Sequence, residues 1–235
     1  FPVNAMAYNA ERGTVDLFGG KDDLENGIIR AVGNPDKRFK EDALRIMRAM
    51  RFASVLGFEI EKETHDALLK NAWLLKNVSS ERICTELFKL LCGKNALNVL
   101  RDYSEVITVV IPELKPAIGC AQNTPWHCCD VYEHIVRAVD FAPNDSMLRL
   151  AMLLHDIGKT QIPEQILYAP RKLTKEEYEV IKQHPVYSYE LLGDQYDASV
   201  RDAVRHHHER LDGLGYPDQL SGDEISVFAR ITSIC

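Results

Sequence analysis

A histidine and an aspartate next to each other at the end of an apolar stretch are the first residues in this sequence that could hold a metal ion. The stretch 148–154 is almost entirely apolar, which predicts a buried helix, and His155 and Asp156 follow it directly. Adjacent helical residues differ by about 100° in direction, so both side chains can point into one pocket, and Gly158 permits the chain to turn away. An imidazole beside a carboxylate that can bridge suits a site for one or two divalent metal ions. The candidate partners, all predicted to lie on helices, are His134, His184, His207 and His208.

Each of these histidines also has an ordinary alternative role. A single histidine is more often a surface residue or a hydrogen-bonded core residue than a metal ligand. We interpret His206 as exposed, and the charged stretch 172–179 as a solvated helix face.

Three arginines spaced three residues apart form the second candidate site. Arg45, Arg48 and Arg51 make a stripe beside the apolar face of a predicted helix over 41–56, with Asp42 one turn before Arg45. A carboxylate only accepts hydrogen bonds and a guanidinium only donates them. The Asp42–Arg45 pair therefore matches the base edges of cytosine and adenine, and not those of uracil and guanine. The other two arginines would suit a triphosphate. The alternative is an ordinary ion pair on a solvated helix face.

The elements that position both groups are mostly helical. Residues 1–32 have the pattern of strands and turns, with a strand at 28–32. Three prolines and a glycine between 111 and 125 predict a linker. We therefore predict a mostly α-helical chain with a small β portion in front. The predicted helices cover 41–56, 62–76, 79–92, 95–102, 128–141, 146–156, 174–183, 185–193 and 197–209, with a last one from 223 onwards.

Composition and charge exclude several classes of protein. The 235 residues are 46% hydrophobic and 27% charged, which excludes a disordered chain, and no run of about 18 apolar residues predicts a membrane span. Residues 1–116 carry 17 basic and 17 acidic residues, whereas the rest carry 11 and 18, so the net charge of −7 arises entirely in the later part. An acidic chain argues against a non-specific nucleic-acid binder. The six cysteines form no CxxC pair, which predicts reduced thiols in a cytoplasmic protein.

Three segments resemble the central motifs of the bacterial CCA-adding tRNA nucleotidyltransferases and the related poly(A) polymerases. They are FPVNAMAYN (1–9), VDLFGGKDDLENGIIRAVGNPDKRFKEDALRIMRAMRFA (15–53) and SSERICTELFKLL (79–91). The resemblance implies that tRNA is the partner, that CTP and ATP are the substrates and that Mg²⁺ is the cofactor. It implies that Asp42 and Arg45 read the base, and that Arg48 and Arg51 complete the nucleotide site.

The segment DVYEHIVRAVDFAPNDSMLRLAMLLHDIGK (130–159) resembles the HD phosphohydrolase superfamily. Beyond it, IPEQILYAPRKLTKEEYEVIKQHP (162–185) and RHHHERLDGLGYP (205–217) resemble the HD-GYP subfamily of cyclic-di-GMP phosphodiesterases. This resemblance implies Mn²⁺, Fe²⁺ or another transition metal and a cyclic dinucleotide as substrate. Ser188 stands where the subfamily has glycine, and the last aspartate ligand of the superfamily would fall just beyond Cys235. The implied catalytic residues are His155, Asp156 and Lys159, and of these Lys159 would contact phosphate. The implied metal ligands are His134, His155, Asp156, His184, His207 and His208.

These resemblances predict four parts of the chain. Residues 1–32 would be the end of a nucleotidyltransferase head, 33–110 a helical neck that selects nucleotides and binds RNA, 111–125 a linker, and 126–235 a C-terminally truncated HD metal-dependent phosphohydrolase domain. The first hypothesis is part of a CCA-adding enzyme, the alternative is an HD-GYP-type cyclic-di-GMP phosphodiesterase, and the third is a helical RNA-binding module. Because the chain begins after the region of the family's metal-binding carboxylates, we expect it to be inactive as a transferase by itself.

Overall fold

The chain divides into two units, Phe1–Val110 and Ile111–Cys235, in a computed structural model that describes residues 1–11, 13–121 and 129–234. The prediction of a mostly α-helical chain with small sheets is confirmed. No helix within these described ranges is both long and apolar enough to cross a membrane.

In the described part of the first unit, four strands form two small sheets. Strand β1 (Ala7–Asn9) pairs antiparallel with β2 (Gly13–Val15), and β3 (Ile28–Ile29) runs parallel to β4 (Glu59–Ile60). Short 3-10 helices cover Pro2–Asn4 and Ala72–Asn77. The α-helices of this unit are α1 (Gly20–Asn26), α2 (Pro35–Glu41), α3 (Leu44–Leu56), α4 (Lys62–Asn71), α5 (Ser80–Leu91), α6 (Ala96–Asp102) and α7 (Ser104–Val110).

Helix α1 lies where the sequence pattern predicted only strands and turns. The Asp16 carboxylate accepts hydrogen bonds from the backbone N–H groups of Gly20 (2.9 Å) and Lys21 (2.8 Å), which have no partner within the helix. The predicted strand over 28–32 is correspondingly short and ends at Ile29.

The helix predicted over 41–56 is present as α3 but begins later, at Leu44, because Asp42 separates it from the preceding helix. Helix α2 begins at Pro35, where Asn34 accepts a hydrogen bond from the Lys37 N–H (2.9 Å), and it ends at Glu41. Asp42 is extended, with φ −152° and ψ 103°, and its carboxylate accepts a hydrogen bond from the Leu44 N–H (3.2 Å) at the start of α3. A carboxylate that caps the next helix competes with continuation of the previous one.

Helix α3 is the centre of the first unit. It packs against α5 and α6, and its inward face carries fully buried Ile46, Met47 and Met50. The buried Ser54 hydroxyl donates a hydrogen bond to the Leu90 carbonyl (2.6 Å) and thereby ties α3 to α5. This apolar face orients the arginines of α3 away from the core.

The second unit is a helical bundle. A 3-10 helix, Ile157–Gln161, follows α9, and another covers Pro112–Ala117. Helices α8 and α9 pack together, and α13 packs against α9, α12 and α14. The helices are α8 (Val131–Phe141), α9 (Ser146–Leu154), α10 (Glu164–Leu167), α11 (Lys175–Ile181), α12 (His184–Leu192), α13 (Ala198–His206) and α14 (Val227–Thr232).

The segment predicted as a linker over 111–125 begins with a short helix instead. Its 3-10 helix Pro112–Ala117 buries Leu114 and Ala117 in the second unit. Prolines favour the start of such a helix as readily as they favour a linker, so the proline pattern was ambiguous. The predicted boundary between residues 125 and 126 lies outside the described residues.

Candidate metal centre and nucleotide pocket

His155 and Asp156 lie at the end of α9, buried to 3% and 2% relative exposure. The turn after them packs against α12. A Cβ at Gly158 would lie 2.1 Å from the His184 carbonyl oxygen, so only glycine allows these two segments to approach. The turn that ends α9 is therefore fixed directly against the helix that carries His184.

Ser188 joins the same two segments by hydrogen bonds. Its buried hydroxyl donates to the His155 carbonyl (2.7 Å) and accepts from the Gly158 N–H (2.8 Å). The Ser188 side chain thus satisfies two buried backbone groups.

The substitution Ser188→Ala is expected to destabilise the second unit. Both backbone groups would lose a partner, and the free energy of unfolding should fall by about 1–3 kcal/mol. Chemical denaturation followed by circular dichroism measures this change. Ser233→Ala is the control, because the Ser233 hydroxyl bonds only an exposed carbonyl. Equal midpoints for the two variants would contradict the role assigned to Ser188.

The remaining predicted ligands come from three other segments of the bundle. His134 is on α8, His184 is the first residue of α12, and His207 and His208 directly follow α13. The structure brings all six predicted ligand residues together.

Asp156 is the centre of this group. Its Oδ2 lies 3.2 Å from His134 Nε2 and 3.3 Å from His155 Nε2. Its Oδ1 lies 3.1 Å from His184 Nε2 and 3.7 Å from His207 Nε2. Two sets of potential ligands share this carboxylate: His134, His155 and Asp156 on one side, and Asp156, His184, His207 and His208 on the other.

The backbone sets the tautomer of three of the histidines. Nδ1 of His155, His184 and His207 lies 2.7–2.8 Å from a carbonyl oxygen three residues earlier in the chain. A carbonyl can only accept, so Nδ1 carries the proton and the neutral ring presents an Nε2 lone pair. This second bond is the usual way in which a protein orients a metal-binding histidine.

In the inner part of this group, hydrogen-bond acceptor atoms therefore face one another. Nε2 lone pairs converge on the Asp156 carboxylate, and the buried Oδ1 has no hydrogen-bond donor among the described residues. Burial with no donor is costly, and a cation between these atoms removes the conflict. The donor set, rich in imidazole with one bridging carboxylate, fits one or two divalent transition-metal ions.

An ammonium group, that of Lys159, also lies at the carboxylate. Its Nζ lies 2.7 Å from Asp156 Oδ2, and the lysine is 7% exposed. Burial alone would raise the pKa of the Asp156 carboxyl, but the Lys159 ammonium holds that pKa well below its usual range. Burial lowers the pKa of His207 to about 4. Both shifts keep the potential ligands in the form that binds metal.

The segment 205–217, which the sequence analysis compared with the HD-GYP subfamily, contributes two residues that were not predicted as site residues, Glu209 and Tyr216. Buried Glu209 accepts hydrogen bonds from the Asp218 N–H (2.6 Å) and the Leu220 N–H (3.1 Å) and so anchors the loop after α13. The Tyr216 ring stacks on His208, with centroids 4.7 Å apart and planes at 20°. The available signals in the sequence were the resemblance of the segment 205–217 to the HD-GYP subfamily and its proximity to His207 and His208.

His206 is not the exposed residue that the sequence pattern indicated. Its side chain is 13% exposed and lies between two carboxylates, with Nδ1 2.8 Å from Asp202 and Nε2 2.9 Å from Asp218. The His206 side chain therefore lies apart from the group around Asp156, whereas the next two residues, His207 and His208, belong to that group.

In the first unit, two of the three predicted arginines line a cavity of about 330 Å³. Arg45 and Arg48 share it with Arg38, Asn4 and Phe18. Arg51 is not among the lining residues, because its guanidinium pairs with Glu86 at 2.9 Å. A cavity bordered by three guanidinium groups suits an anionic ligand.

Asp42 and Arg45 have different partners in this structure. The Asp42 carboxylate lies 3.4 Å from Arg82, whereas the Arg45 guanidinium donates to Glu41 and to the Arg38 carbonyl, both at 2.8 Å. The common stripe on one helix is wrong for Asp42, because that residue lies in the break between α2 and α3. Both side chains remain partly exposed, 33% and 27%, so neither points into the core.

Comparison with known families gives two matches. The family described as "HD domain" matches residues 118–235, which is half of the chain. The chain belongs to the HD domain family. The region described as "Probable RNA and SrmB- binding site of polymerase A" matches residues 57–118 of this HD domain protein. Neither description separates the HD-GYP subfamily from other HD domains, so that resemblance stays a prediction.

Curated relatives of this HD domain protein are named CCA-adding enzyme. That of Ligilactobacillus salivarius is 52% identical over 101 residues, covering 43% of this chain and 25% of the relative. That of Bacillus velezensis is 48% identical over 121 residues, covering 52% of this chain and 30% of the relative. The chain thus spans only 25–30% of the length of these relatives.

Solved structures agree on the fold. The Bacillus stearothermophilus CCA-adding enzyme in complex with CTP is 28% identical, with a TM-score of 0.52 over 87% of this chain and 56% of that one. A CCA-adding enzyme with ATP matches at 23% identity and a TM-score of 0.51, over 99% of this chain and 53% of that one. The second likeness concerns the fold alone.

Proposed function

We propose that this chain is the nucleotide-selecting and RNA-binding part of a tRNA nucleotidyltransferase that adds C and A to tRNA 3′ ends from CTP and ATP, with Mg²⁺ as cofactor. The names of the curated relatives support this reading, as does the RNA-binding region over 57–118. Such an activity would place the protein with its tRNA in the cytoplasm.

The cavity beside Arg45 and Arg48 carries the proposal. Arg45 lines it, and Asp42 lies at the nearby start of α3 with an accessible carboxylate. Their present partners, Glu41 and Arg82, are each more than half exposed in their side chains. Ion pairs at that exposure contribute about 0–1 kcal/mol, so a base edge that matches both side chains can replace them.

The decisive experiment uses the full-length protein that contains this chain. We expect it to extend tRNA lacking its 3′ end with CTP and ATP, and to reject UTP and GTP. Gel electrophoresis of labelled tRNA measures the extension. Failure to add either nucleotide would overturn the proposal.

A second function, metal-dependent hydrolysis of phosphate esters, is favoured by the group around Asp156. A divalent ion held there, such as Mn²⁺ or Fe²⁺, would lower the pKa of a bound water and stabilise negative charge on a phosphate. The histidines around Asp156 would hold the ion, and Lys159 would offer an ammonium to the phosphate. His155 and Asp156 would orient the reacting groups. The cyclic dinucleotide implied by the HD-GYP resemblance is one diester to test.

Metal uptake tests this second function directly. The purified chain, dialysed against Mn²⁺ or Fe²⁺ and then against buffer, should retain about two ions, one for each set that shares Asp156. Elemental analysis gives the stoichiometry. Retention of none would remove the basis for hydrolysis, while leaving the transferase proposal intact.

A further inference from the structure

A series of side-chain contacts leads from Tyr178 on α11, through Lys182 directly after that helix, to the group around Asp156. Tyr178 and Lys182 are four residues apart and lie on the same side of this helical turn, where the Lys182 N–H bonds the Tyr178 carbonyl at 3.0 Å. The Lys182 ammonium lies 5.0 Å from the centroid of the Tyr178 ring and 5.9 Å from that of Tyr216. Tyr216 in turn stacks on His208.

The outer members of this series are accessible. Tyr178 is 47% exposed, and the Lys182 side chain is 26% exposed. Lys182 pairs with Glu179 at 2.7 Å, but the Glu179 side chain is 65% exposed and an exposed pair of this kind is weak. A doubly charged phosphate would compete successfully for the ammonium.

We propose that Tyr178 and Lys182 form a substrate-binding subsite for a nucleotide-type phosphate ester, with the base stacked on Tyr178 and a phosphate held by Lys182. The proposal rests on the hydrolytic function proposed above and names its substrate class. Any of the planar bases can stack on an aromatic ring, and an adjacent ammonium can bind the phosphate. A sugar phosphate without a base would gain only the second contact. The stretch that the sequence pattern indicated as a solvated face therefore has a binding role.

Binding of two matched phosphate monoesters tests the subsite. AMP carries a base, and glycerol 3-phosphate carries none. Calorimetric titration of the metal-loaded chain should give a dissociation constant for AMP about 10-fold lower than for glycerol 3-phosphate, from stacking on Tyr178.

Variants separate the two contacts. Tyr178→Ala should remove the preference for AMP, and Tyr178→Phe should keep it, because phenylalanine retains the ring. Lys182→Gln should weaken both ligands alike, whereas Lys175→Gln, an exposed lysine on the same helix, should change neither. Circular dichroism of each variant checks that the fold is retained.

Several outcomes would overturn the subsite. They are equal affinity of the wild-type chain for the two ligands, an unchanged preference in Tyr178→Ala, or equal effects of the two lysine variants. If the chain takes up no metal, the hydrolytic function fails, and the same titration on the metal-free chain still decides the subsite, because Tyr178 and Lys182 are not ligands.

Discussion

Asp156→Asn is expected to abolish retention of both metal ions at once. Asp156 is the only residue shared by the two potential ligand sets of the described chain, and its two oxygens face different histidines. An amide supplies one neutral oxygen and cannot bridge two cations. Elemental analysis after dialysis should fall from about two ions per chain to near none.

Two controls make this result specific. His134→Ala belongs to one set only and should leave about one ion per chain, because the other set remains complete. Asp202→Asn, a carboxylate that contacts His206 instead, should retain the wild-type content. Because Asp156→Asn removes the negative charge that the buried Lys159 ammonium contacts at 2.7 Å, the free energy of unfolding would fall by about 3 kcal/mol. The variant Asp156→Asn/Lys159→Met removes that complication. Retention of one ion by Asp156→Asn would contradict the bridging role.

The full-length protein with Asp42→Ala or Arg45→Ala is expected to lose selection among nucleotides more than it loses stability. Each change removes one half of the edge that matches cytosine and adenine, and a matched bidentate contact contributes about 1–3 kcal/mol. The ratio of incorporation of CTP to UTP should therefore fall about 10- to 100-fold. Single-nucleotide extension of tRNA with each nucleoside triphosphate measures the ratio.

The matched control for this prediction is Asp66→Ala. Asp66 is also an exposed carboxylate in an ion pair, with Lys62 on α4, but it does not line the cavity. Its selectivity should equal that of the wild type. Unchanged selectivity in both Asp42→Ala and Arg45→Ala would contradict the assignment of the base-reading pair, even if the transferase activity itself were established.

Local patterns predicted the helices of the second unit well. Asp130, Asp145 and Thr174 each cap a helix that the apolar spacing had already indicated. Capping and apolar periodicity act within a few residues, so both can be read directly along the chain. The same kind of reasoning failed at Asp42, where a side chain that could continue one helix instead begins the next.

The residue types that could bind metal were evident without coordinates, but their arrangement was not. The adjacent His155 and Asp156 indicated a site, and nearby histidines supplied candidates. That Asp156 lies between two sets depends on the packing of α8, α12 and α13 around the end of α9. Such packing joins residues up to 74 positions apart (134 to 208), and no local pattern carries that distance information.

Residue types and their order were thus sufficient for the fold class, for most helices and for naming the six side chains that come together at Asp156. The folded chain was needed to separate His206 from His207 and His208, to exclude Arg51 from the cavity, and to bring Tyr178 and Lys182 beside Tyr216. The reason is that helix formation depends on neighbours within one or two turns. Which side chains meet across a bundle depends instead on how apolar faces far apart in the chain pack together.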